Sequence, residues 1–168
     1  MAKSRFFIVS SLLALAVLWA AAPARADQAF QRLMPLLIDL DGWQGKKPDG
    51  MSMEMPGGGM TTATREYQKG STKASVAVMT GQAAAGALSS MQAGMNVTTS
   101  EGHVVTDTMQ GMKVMKTYTT SKKDGALMVA LDKDAMFSFS YSGVAEDEAL
   151  ALAQKFDWKA LQAAAKAK

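Results

Sequence analysis

The chain has 168 residues with 18 basic and 15 acidic side chains, one histidine, 14 methionines and no cysteine. A chain without cysteine has no disulfide framework and no thiolate metal site, and a single histidine leaves a zinc centre without a ligand set. The excess of three positive charges is small and lies wholly at the N-terminus, which removes the usual electrostatic argument for nucleic-acid binding.

Lys3 and Arg5 precede an apolar run from Phe6 to Ala22, broken by Ser10 and Ser11 and followed by Pro23-Ala24-Arg25-Ala26. A positive start, an apolar middle and small residues at the −3 and −1 positions predict a secretory signal peptide over 1–26, cleaved after Ala26. The alternative is an uncleaved membrane anchor, because the run sits at the short edge of the roughly 17–25 residues a spanning helix needs. The small-residue cleavage site favours removal, and a twin-arginine motif is absent. Loss of Lys3, Arg5 and Arg25 takes three of the 18 basic charges and leaves 15 against 15 acidic ones. The mature portion, 27–168, is thus expected to be one neutral domain with a proper core. Export without cysteine points to the bacterial periplasm.

Within that portion, Phe30, Leu33, Met34, Leu37 and Ile38 form a helix-like stripe behind Asp27, with Pro35 dividing it into two pieces. Asp41-Gly42 ends it, and Lys46-Lys47-Pro48-Asp49-Gly50 reads as a turn. Strands are predicted over Met51 to Met55, Met60 to Gln68 and Lys73 to Thr80, the last with Ala74, Val76 and Val78 on one face. Gln82 to Met95 reads as a helix laying Leu88, Met91 and Met95 on the sheet. Val97 to Gln110 is one bent strand or two short ones, because Gly102 interrupts it.

Met112 to Thr120 and Ala126 to Leu131 then form a hairpin across Ser121-Lys122-Lys123-Asp124-Gly125. The clearest strand follows, with Phe137, Phe139 and Tyr141 alternating against Met136, Ser138, Ser140 and Ser142. Glu146-Asp147-Glu148 open a helix running to about Lys155, and Asp157 caps a last one carrying Trp158 and Leu161. These elements predict an α+β fold: an antiparallel sheet of about six to seven strands with the helices packed on one face. Arg65-x-Tyr67 and Lys116-x-Tyr118 stand at matching places before two hairpins, a faint internal echo.

The order Gly42-Trp43, a Met- and Gly-rich hairpin, Arg65-x-Tyr67, a polar strand pair and Phe156-Asp157-Trp158-x-x-Leu161 resembles a loose group of uncharacterised exported bacterial proteins. In that group this order spans most of the mature chain. The resemblance implies a single α+β domain outside the cytoplasm and no catalytic activity. The group often has a basic residue in the strand that Phe137-Ser138-Phe139 occupies, and this chain has none there.

Enzymatic chemistry finds few candidates. Glu101, His103 and Asp107 fall on one face of an extended strand, but no serine sits in a nucleophile motif, and the expectation is a solvated strand edge. Gly57-Gly58-Gly59 lacks the lysine and helix of a phosphate loop.

Methionine is the distinctive residue. Met51, Met53 and Met55 recur at spacing two, and Met60 follows the Pro56-Gly57-Gly58-Gly59 turn. Thioethers select soft ions, so these four are the candidate ligands for Cu(I) or Ag(I). Met34, Met79, Met91, Met95, Met109, Met112, Met115, Met128 and Met136 lie elsewhere, so the residue also serves as adaptable core filling. Three readings follow. The first is a non-enzymatic periplasmic domain binding a protein, peptide or apolar ligand, without cofactor. The others are a Cu(I) site on the Met-rich hairpin, and a methionine oxidant sink. Burial of the Met row under the second helix would argue for core, and exposure for a site.

Overall fold

The computed structural model describes residues 29–54, 56 and 58–167, so the expected signal peptide and Met55 lie outside the described residues. In order the elements are α1 (Ala29–Leu33), β1 (Gln44–Gly45), β2 (Asp49–Met53), β3 (Met60–Lys69), β4 (Thr72–Gly81), α2 (Gln82–Gln92), β5 (Asn96–Thr99) and β6 (Gly102–Met109). Then come β7 (Met112–Thr119), β8 (Asp124–Asp132), β9 (Ala135–Ser142), α3 (Glu146–Ala153) and α4 (Trp158–Lys166). Among the described residues nine strands form one open antiparallel sheet in the order β1-β3-β4-β9-β8-β7-β6-β5, with β2 beside β1 on the same edge of β3. This exceeds the six or seven expected. The two-residue β1 is too short to show a period, and the stretch from Val97 turns back at Ser100-Glu101, so that β5 and β6 pair as a hairpin with Thr99 opposite Gly102.

Pro35 shortens the first helix as its missing N–H requires: α1 ends at Leu33, and a single 3-10 turn (Met34–Leu36) follows. The helices α1, α3 and α4 pack on what we call the front face. There β4 presents Ala74, Val76 and Val78, β8 presents Leu127, Val129 and Leu131, and β9 presents Phe137, Phe139 and Tyr141, all buried. Their rings meet Phe156 and Trp158 at the start of α4, with the Phe137 and Phe156 centroids 5.3 Å apart. Asp157 caps α4 as expected, its Oδ1 accepting from the Ala160 N–H at 2.9 Å. Glu146, Asp147 and Glu148 occupy the first turn of α3, where the helix dipole favours them.

The second helix goes to the other side. Helix α2 crosses the back face, and Ala84, Leu88 and Met91 form a separate core with Met115 and Met136, edged by Met79, Met128 and Val104. This corrects the expectation of helices on one face only. Residues Met79, Met115, Met128 and Met136 sit at the positions alternate to the front-face apolar set, and they supply a second, softer hydrophobic patch to cover. The stripe α2 uses is Ala84, Leu88 and Met91, while Met95 lies beyond the helix end at 44% exposure. Lys113 Nζ donates to the Gln92 carbonyl at 3.0 Å, a cation at the helix C-terminus.

Candidate functional site

The back face changes character along the strands, and strand register shows how. One row across the sheet reads Met53–Met60–Gly81, and the next reads Met51–Thr62–Met79–Met136–Ala130. The third reads Thr64–Ala77–Ser138–Met128–Met115. Beyond it lies Glu66–Ser75–Ser140–Ala126–Thr117, then Gln44–Gln68–Lys73–Ser142. Thioethers and methyls thus occupy one end and hydroxyls, amides and charges the other. Helix α2 covers the thioether end only over β4 to β9 and their neighbours toward β6.

Met51 and Met53 escape that cover. They lie on the edge strand β2 with 48% and 43% of their surface exposed, beside the half-buried Met60. Their face is fixed by their neighbours. Ser52 Oγ meets Thr61 Oγ1 at 3.0 Å on the front, and a Cβ built on Gly50 would strike Phe30 of α1 at 2.7 Å. Met51 and Met53, alternating with these, point to the back. Of the row predicted from sequence, Met51 and Met53 are therefore displayed to solvent, and Met60 beside them is half-buried.

The polar end forms a groove of about 680 Å³ lined by Gln44, Lys46, Glu66, Gln68, Lys73, Ser75, Ser140 and Ser142. Ser75 and Ser140 face each other in register across β4 and β9 at its floor. Lys46 Nζ bonds Glu66 Oε2 at 2.5 Å on one wall, and this contact holds the Glu66 carboxyl below the usual carboxylate range. Both side chains are well exposed, so the pair orders the wall more than it stabilises the fold. Sequence reasoning left these residues out. Their signal was the small polar set at every second position of β9, which alternation alone marks only as the polar face of one strand.

The other sequence motifs resolve into supports. Arg65 Nε donates to the Lys46 carbonyl at 2.8 Å, Nη1 to the Leu37 carbonyl at 2.6 Å, and Nη2 to Asp39. Tyr67 Oη donates to the Ile38 carbonyl at 2.7 Å, and the Arg65 guanidinium lies 5.3 Å from the Tyr67 ring centroid. Arg65-x-Tyr67 therefore ties the segment after α1 to the sheet edge and seats β1 against β3. Burial, helped by the Asp39 charge against the opposing pull of Arg65, pushes the Tyr67 phenol up to about 12. In the echoing motif, Lys116 Nζ pairs with Asp107 at 3.1 Å. Asp107 is held below its ordinary value by the Thr108 N–H first and Lys116 second.

His103 Nε2 lies 2.9 Å from Glu146 Oε1 at the start of α3, so it links β6 to that helix. Glu101 precedes β6 and is exposed, and Asp107 turns to Lys116, so the three candidates of that strand do not converge. Among the described residues no group of three or more His, Asp or Glu side chains is placed to hold a metal ion. Among them, too, no helix is long and apolar enough to cross a membrane. No protein-family model matches this chain, and no curated protein or solved structure matches it either.

Proposed function

We propose that the protein is a non-enzymatic binding domain, exported to the periplasm, that seats a polar peptide segment in the groove at the serine end of the back face. The observation carrying this reading is that α2 covers only the thioether half of that face. A sheet face that is not needed for the core and is furnished with paired donors and acceptors is suited to reading a backbone. Gln44 and Gln68 offer an amide donor and acceptor each, Ser75, Ser140 and Ser142 offer hydroxyls, and Lys73 and Glu66 offer opposite charges for side chains. The groove falls within the roughly 300–1,000 Å³ typical of ligand sites. Its hydroxyls, amides and opposed charges favour a peptide backbone, and Tyr67, Ala74 and Tyr141 add apolar surface that a peptide's aliphatic stems can meet.

The test is a titration of isotope-labelled protein with a pool of five-residue peptides rich in Ser, Asn, Lys and Glu. Shifts are expected in the amide signals of Gln68, Lys73, Ser75 and Ser140, and their loss in Ser75→Phe, whose ring fills the floor. Undisturbed groove signals, or shifts that persist in Ser75→Phe, contradict the reading. A second reading, a sacrificial methionine surface, is favoured by the exposure of Met51 and Met53.

A further inference from the structure

The register of β2, β3 and β4 points to a soft-metal site: we propose that Met51, Met53 and Met60 bind one Cu(I), or its redox-inert analogue Ag(I), through their three thioether sulfurs. The inference concerns the opposite end of the back face from the peptide groove and stands independently of it.

The placement follows from pairing. Met53 lies directly across from Met60, an arrangement that sets Cβ atoms about 4.5–5.5 Å apart. Met51 is two residues along β2 on the same face, about 7 Å from Met53 at Cα, and diagonal to Met60. Three long side chains thus start from the corners of one small triangle. Each has three rotatable bonds, enough to bring its sulfur to a common point above the sheet. Thr62 holds the fourth corner, opposite Met51, and Met79, diagonal to Met60 beyond it, is drawn to the rim of the α2 core.

Chemistry selects the ion. Thioethers are neutral and soft, and they favour Cu(I) over the borderline and hard divalent ions that imidazole and carboxylate hold. A neutral ligand set leaves the ion's single charge uncompensated, which a buried site would penalise heavily. Here Met51 and Met53 are 48% and 43% exposed, so water remains beside the complex. Exposure also separates these methionines from Met115, Met128 and Met136, which α2 packs down and which a core needs for filling. A large apolar side chain on an edge strand has no such packing role.

The experiment uses the purified protein under anaerobic conditions, with Cu(I) supplied from a colourimetric chelator that competes for it. One equivalent of Cu(I) is expected to transfer, with at least 100-fold weaker retention in Met51→Leu/Met53→Leu/Met60→Leu. Met115→Leu/Met128→Leu serves as a control and keeps full affinity. Addition of Ag(I) is expected to shift the ε-methyl signals of Met51, Met53 and Met60 in the native protein, a readout that needs no variant to fold. Equal retention in the native and triple-leucine proteins, absence of transfer to the native protein, or Ag(I) shifts confined to other methionines would overturn the proposal.

Discussion

Arg65 and Tyr67 show how two side chains at spacing two organise a sheet edge. Arg65 is only 10% exposed and spends its fork on two backbone carbonyls and Asp39. Arg65→Ala strands those carbonyls and is expected to cost about 2–3 kcal/mol in urea unfolding. Arg65→Lys should recover little of it, because an ammonium cannot reproduce the planar fork. The Tyr67 phenol ionises near 10 in an unfolded chain and at about 12 in the fold. Between those values the fold keeps a proton the unfolded chain has released, so stability present below pH 10 falls as pH rises toward 12. Tyr67→Phe is expected to make that alkaline limb shallower in chemical denaturation at a series of pH values, leaving the part due to Tyr141, whose phenol burial also pushes up. An unchanged limb would remove Tyr67 as its cause. Peroxide offers a third check at this scale: peptide mapping should find sulfoxide at Met51, Met53 and Met95 well before Met91 or Met136, following exposure.

At the scale of elements, the informative case is α2. Its existence, its start near Gln82 and its Leu88–Met91 stripe were all legible from spacing. Its side of the sheet was not, because an amphipathic stripe does not say which face it meets. The clue lay in four strands at once, where Met79, Met115, Met128 and Met136 occupy alternate positions that a strand-by-strand reading takes for solvent-facing. Leu88→Ala opens a cavity in this small core and should cost about 2–5 kcal/mol. Met128→Leu, close in volume, should cost less than about 1.5 kcal/mol in the same assay. Gly81, the residue that turns β4 into α2, has φ +89°, and a Cβ there would sit 1.9 Å from the Gly59 carbonyl oxygen. Gly81→Ala should therefore loosen α2 and the β2–β3 hairpin together, seen as faster amide exchange in both. Exchange confined to one of them would show the two to be uncoupled.

For the molecule as a whole, local pairings were readable and distant ones were not. Most hairpins announced themselves by turn residues, as Lys69-Gly70-Ser71 and Lys122-Lys123-Asp124-Gly125 do, while the β5–β6 turn at Ser100-Glu101 did not. The join of β4 to β9, which sets Val78 against Phe137 at the centre of the sheet, has no local signature. The polar groove was invisible for the same reason, since Glu66, Ser75 and Ser140 become neighbours only through that join. The methionine row was visible because Met51 and Met53 need only strand periodicity, and Met60 only a hairpin. One sheet face then carries thioethers at one end, covered by α2 over the central strands and bare at the β2 edge, and a polar groove at the other.

That division is tested most directly by one series of amide and methyl NMR spectra on a single labelled sample, titrated first with the peptide pool and then with Ag(I). Two separate sets of shifts are expected, one around Ser75 and Ser140 and the other at Met51, Met53 and Met60. Overlapping sets, or shifts centred on Leu88 and Met91 beneath α2, would contradict that division.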